Sequence, residues 1–121
     1  MKTNSYVRVL ADENQISQCK ADLASIEEEV VSLTSLLSLA GNEVRFKILY
    51  LLHREGQMCP CDLSDVLEMT MPAISQHLRK MKDKDLIKSK KVGQTIFYSI
   101  SQEHNSLLEN LFNRVLQPSI L

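Results

Sequence analysis

Tryptophan is absent from this sequence, and cysteine, glycine and proline occur only three times each. Three cysteines are an odd number, which argues against a disulfide framework and leaves thiols for other chemistry. With so little glycine and proline there is no low-complexity tract, and no internal repeat is visible. No run of about 18 apolar residues occurs, so nothing is expected to span a membrane. The first residues are polar and lack the basic-then-apolar order of a secretory leader, so a cytoplasmic protein with reduced thiols is expected. Net charge is lacking too. It is −1 over 121 residues, with 44% hydrophobic and 24% charged, the balance of one ordinary globular domain.

That neutrality hides an uneven distribution. From Met1 to Val30, Lys2, Arg8 and Lys20 stand against six acids; from Met71 to Ser101, seven bases stand against Asp83 and Asp85. A basic segment on a neutral chain suits contact with phosphates. Taken alone it describes a solvated face equally well.

Apolar spacing supplies the order of elements. Residues 1–15 are expected to be a flexible N-terminal arm, and 16–121 one domain. From Ile16 to Ala40, Leu23, Ile26, Val30, Leu33, Leu37 and Ala40 recur at threes and fours, giving one long helix or an arm helix followed by a core helix. After Gly41-Asn42, a helix from Glu43 to Arg54 turns Val44, Ile48, Leu51 and Leu52 inward. A short helix spans Cys61 to Leu67. Thr70 caps the next, with Pro72 near its start, which runs to Lys84 and buries Ile74, Leu78 and Met81. Two helices joined by so short a turn are a helix-turn-helix candidate. Leu86–Lys91 and Thr95–Ile100 read as a hairpin around Val92-Gly93-Gln94. A last amphipathic helix, Gln102 to Leu116, uses Leu107, Leu108, Leu111 and Val115, and Pro118 ends it. The fold class is mainly α (α+β): a winged helix-turn-helix of about five helices with a β-hairpin wing.

Chemistry concentrates in Met58-Cys59-Pro60-Cys61-Asp62-Leu63. Pro60 disfavours helical geometry at Cys59 and suits the first helical position, making Cys59 the cap and placing Cys61 in the first turn, where the dipole favours an anion. An extended backbone points residues i and i+2 the same way, so both sulfurs can meet one soft ion. The bland alternative is two small buried hydrophobes. Just downstream, Ala73, Ser75, Gln76, Arg79 and Lys80 lie opposite the buried stripe of the second helix of the pair. Ser, Gln and Arg there suit base edges and phosphates in a major groove. Lys88, Lys90 and Lys91, with Gln94 and Thr95 at the hairpin tip, suit flanking phosphates. His77 is either a further DNA contact or a residue packed within the pair.

Leu36 to Ala40, Glu43 to Leu49, Cys59-Pro60-Cys61-Asp62-Leu63, Met71 to Leu78, Val92-Gly93-Gln94 and Phe97 to Ile100 together resemble the ArsR/SmtB family of winged-helix metalloregulatory repressors. The likeness covers about Leu33 to His104. It implies a homodimer on palindromic double-stranded operator DNA, released when metal binds, with the first and last helices forming the dimer interface. The thiol pattern is similar to that of the cadmium- and lead-sensing, CadC-like members, in which arm cysteines of the other protomer join the Cys-x-Cys pair. That implies a site of Cys19, Cys59 and Cys61. The resemblance departs in two places: one arm cysteine stands where two are usual, and Ser64 occupies the position of the arsenic sensors' third cysteine. Three thiolates suit arsenite, antimonite, lead or mercury better than a four-thiolate cadmium site. The family's zinc site on the last helix is expected to be absent, because Gln102 replaces its acid and Asn110 to Leu121 hold no His, Asp or Glu.

The competing expectation keeps the fold and makes the cysteines a redox or persulfide switch. A thiol enzyme is disfavoured, since no positioned base accompanies a cysteine and Cys-x-Cys is not the thioredoxin spacing.

Overall fold

Residues 10–116 are described by the structure, a computed structural model. They form α1 (Glu13–Ser25), α2 (Glu27–Ala40), α3 (Glu43–Glu55), α4 (Pro60–Leu67), α5 (Met71–Asp83), β1 (Ile87–Val92), β2 (Thr95–Ile100), a 3-10 turn (Gln102–His104) and α6 (Asn105–Leu116). The chain divides into two compact units, Met1–Ser35 and Leu36–Leu121. Positions 1–9, where most of the expected arm lies, and Pro118 fall outside the described residues.

In the first unit the helix begins earlier than the periodicity suggested. The Asp12 carboxylate accepts the Gln15 N–H at 3.0 Å, which satisfies a donor that the helix start would otherwise leave open. The long apolar pattern is two helices, broken at Ile26, whose non-helical backbone ends α1. That break raises the helix count among the described residues to six. No residue of α1 is buried, and Leu23, Ile26, Val30, Val31 and Leu33 are all exposed.

In the second unit Leu36, Ala40, Ile48, Leu49, Leu52, Leu63, Ile74, Leu78, Met81, Leu86, Ile87, Ile100, Leu108 and Phe112 form one core. Local signals place each element. The Asn42 side chain accepts the Arg45 N–H at 3.0 Å to start α3, and Gly56 ends it at φ +89°. Pro60 opens α4. The turn from α4 to α5 is tight because Glu68 adopts the left-handed conformation at φ 55°, while Ser64 donates its hydroxyl to the Met69 carbonyl. Thr70 then caps α5 by accepting the Ala73 N–H at 3.3 Å. Ile74, Leu78 and Met81 are buried, as their spacing required.

β1 and β2 are antiparallel, running from Ile87↔Ile100 to Val92↔Thr95. Gly93 and Gln94 make the loop, and Gly93 takes the positive φ (+64°) demanded at its first position. The Met58 N–H donates to the Tyr98 carbonyl at 3.1 Å, and the Tyr98 N–H donates back at 2.9 Å. The residue before Cys59 is thereby stitched to the wing.

Two expected stripes need correction. On α3 the buried line is Ile48, Leu49 and Leu52, with Val44 and Leu51 only half-buried. On α6 Phe112 fills the core and Val115 is 57% exposed. The Phe112 ring lies edge-on to Phe46 at 5.3 Å and to Tyr50 at 5.8 Å, with the His53 ring tilted against it at 5.0 Å, and aromatic packing of this kind outweighs what a valine can bury. Phe112→Ala is expected to destabilise the protein by about 3–5 kcal/mol in denaturant titration; a loss below about 1 kcal/mol would show that α6 is not anchored by this ring.

Candidate nucleic-acid interface and sulfur site

The rotation of α5 about its own axis is set by Ile74, Leu78 and Met81, one buried residue per turn on a single side. What remains outside follows from that. Gln76, Arg79 and Lys80 are exposed, and Ala73 and Ser75 are half-buried at the helix start. A small residue with half-buried neighbours at this end lets a helix approach a groove closely. Lys88, Lys90 and Lys91 are exposed on β1, and Gln94 and Thr95 are exposed at the hairpin tip. α5 and the wing therefore both offer amide, hydroxyl and cationic groups to solvent, and no acid lies on β1 or β2.

His77 sits differently. It is half-buried, and its Nδ1 lies 3.3 Å from a guanidinium nitrogen of Arg45 on α3. Its pKa is lowered first by burial, then by the positive charges of Arg45 and Lys80. Arg45 was not singled out by periodicity. Its signal was its place three residues after the cap Asn42, which fixes its backbone but says nothing of its side chain's reach.

Cys59 and Cys61 both lie at the start of α4. Cys59 is the N-cap residue, with extended backbone at φ −92° and ψ 159°, and its side chain makes no capping hydrogen bond. Its sulfur is thus not committed to the helix start. Cys59 is half-buried, Cys61 in the first turn is exposed, and both are free thiols. The bland reading of two buried hydrophobes does not fit Cys61. Cys19 belongs to α1 in the other unit and is also exposed and free. Among the described residues, no three or more His, Cys, Asp and Glu converge as a ligand set. The His53 ring packs at a tilt against Phe112, and His104 contacts Glu103 at 3.1 Å.

A helix-turn-helix followed by a two-stranded wing, with a polar and cationic outer face, defines a DNA-binding transcription regulator of the winged-helix class. The pattern described as bacterial regulatory protein, arsR family, matches residues 42–89, from the cap of α3 into β1. A cadmium resistance transcriptional regulatory protein CadC homolog of Staphylococcus aureus is 31% identical over 101 residues, covering 83% of this chain and 82% of its own. The arsenical resistance operon repressor of Escherichia coli is 33% identical over 66 residues, covering 54% and 56%. The solved structure of HlyU from Vibrio cholerae superposes with a TM-score of 0.68 at 32% identity, covering 72% of this chain and 95% of that one. The chain belongs to the ArsR family, and it is a regulator of transcription rather than an enzyme.

With α5 as the reading helix, Gln76→Ala and Arg79→Ala should each weaken binding to a preferred duplex by about 1–3 kcal/mol and relax its sequence preference. Lys90→Ala should instead weaken all duplexes evenly and lower the salt slope by about one. Fluorescence anisotropy at several salt concentrations separates the two; unchanged affinity in both α5 variants would remove this helix from the interface.

Proposed function

We propose that this protein is a soft-metal-responsive repressor. It binds double-stranded operator DNA as a homodimer, and it is released when a soft ion occupies the thiolates of Cys59 and Cys61, joined by Cys19. The observation that carries this reading is the placement of two uncommitted sulfurs at the start of α4. That helix turns directly into α5, and the peptide before Cys59 is hydrogen-bonded to β2. An ion drawing on Cys59 therefore pulls on both the reading helix and the wing.

The donor set fits the ion class. Two or three thiolates select soft or borderline ions over hard ones, and a three-sulfur set suits arsenite, antimonite, lead or mercury, with cadmium favouring a fourth donor. The relatives named for cadmium and arsenic resistance lie on the same side of that division. Exposed Leu23, Ile26, Val30, Val31 and Leu33 in the first unit, and exposed Val115 and Leu116 on α6, support dimerisation, because patches of this kind on a soluble chain mark contact surfaces. Two copies related by a dyad would present two α5 helices to successive major grooves. A bound ion then releases DNA by favouring a dimer geometry that no longer matches that spacing.

Cys59→Ser and Cys61→Ser should keep operator affinity and lose release by arsenite, lead, cadmium or mercury. The sulfur-to-metal charge-transfer absorption should fall with it. Cys19→Ser should weaken the response in part. Release of Cys61→Ser at wild-type ion concentrations would defeat the assignment, and release by oxidant with no charge-transfer band for any of the four ions would favour the redox alternative.

A further inference from the structure

Arg45 is half-buried on the first turn of α3, and among the described residues it pairs with no carboxylate. Its guanidinium is nevertheless held at two points. Nε donates to the Leu39 carbonyl in the last turn of α2 at 2.7 Å, and Nη1 meets His77 Nδ1 on α5 at 3.3 Å. The Leu39 carbonyl is one of the last four of its helix, which lack an intrahelical partner. Arginine has only donors to offer, so Nδ1 must accept, and the imidazole is neutral with its proton on Nε2. A planar fork suits this double duty, and a lysine ammonium does not reproduce it.

We propose that Arg45 and His77 are positioning residues of the DNA-reading helix: the neutral imidazole receives Arg45, and through it α5 is held against the end of α2 in the pose that fits a major groove. His77 then acts through Arg45 rather than on DNA, the second of the two roles its sequence position allowed. The charges facing the imidazole are Arg45 from α3 and Lys80 from its own helix, both positive. Protonation adds a third cation and removes the acceptor that α5 offers to Arg45, so it opens the tie. Because His77 titrates below the ordinary 6.5, the tie is complete above that value. It is lost as pH falls from 6.5 through the lowered value, where the unfolded chain binds the proton more readily than the folded one.

The inference rests on α5 being the reading helix, and Gln76→Ala measured alongside reports that point separately. Binding to a duplex selected by the wild-type protein from a random-sequence library is followed by anisotropy from pH 8 to 5 under reducing conditions. Wild-type affinity should hold steady above pH 7 and fall roughly tenfold on acidification, the weight of about one charge-assisted hydrogen bond. His77→Gln offers a carbonyl oxygen to Arg45 that does not titrate. It should bind near wild-type strength at pH 7.5 and lose the acid-side fall, while His53, His104 and the thiols remain common to both proteins. Arg45→Lys should bind roughly tenfold more weakly at pH 7.5, with the thermal midpoint lowered by only about 3–6 °C, the weight of one lost hydrogen bond. Tightening of the wild type on acidification is what an imidazole facing phosphate would give, and it would overturn the proposal. So would a His77→Gln profile that tracks the wild type, a result that stands whatever the folding of Arg45→Lys.

Discussion

Three apolar side chains on one side of a thirteen-residue helix govern most of what this protein can do. Ile74, Leu78 and Met81 sit in the same core as Ile48, Leu49, Leu52 and Leu63. Taking a Leu, Ile or Met side chain out of such a core costs about 2–5 kcal/mol, so α5 cannot roll about its axis without losing most of the domain's stability. The outward set of Gln76, Arg79 and Lys80 is a consequence of that burial. Specificity for DNA, if carried by these groups, is inherited from packing on the other side of the helix.

The same core reaches the sulfur segment by a different route. Leu63 is fully buried two residues after Cys61, and Met58 is bridged to Tyr98 one residue before Cys59. The two cysteines thus lie between a core anchor and a pair of backbone hydrogen bonds. Cys61 stays exposed because the helix turns it away from Leu63, and Cys59 stays uncommitted because it caps the helix with its backbone alone. Solvent access and anchored flanks together suit a site that must admit an ion and transmit its arrival.

How much of this was legible depended on the range of each interaction. Thr70, Asn42, Pro60 and Gly93 act within a few residues of themselves, so their caps and turns could be read from the chain. The stripe on α5 was legible because its apolar residues are few and regularly spaced. On α3 and α6 the apolar residues are crowded, and tertiary partners chose among them: Leu49 joined the core line of α3, and Phe112 displaced Val115 because Phe46, Tyr50 and His53 surround it. The Met58–Tyr98 bridge and the Arg45–His77 contact join residues 40 and 32 positions apart. No local pattern encodes such pairs. The break at Ile26 was one of two options left open, since an apolar residue at a helix end obeys the same periodicity as one inside it.

Those long-range links are also the weak ones, and that bears on regulation. A hydrogen bond contributes about 1 kcal/mol net, far less than a buried leucine. The bridge to the wing and the tie to α5 therefore hold the outer face of α5 and the wing in place without making their pose as costly to change as the core. Couplings between sites in regulators are commonly about 1–3 kcal/mol, the scale of one or two such bonds. A ligand at the sulfur segment need not unfold anything. Under the proposed function it would have only to prefer an arrangement in which one of these fasteners is strained, and a core that does not yield would transmit the difference to the outer face of α5.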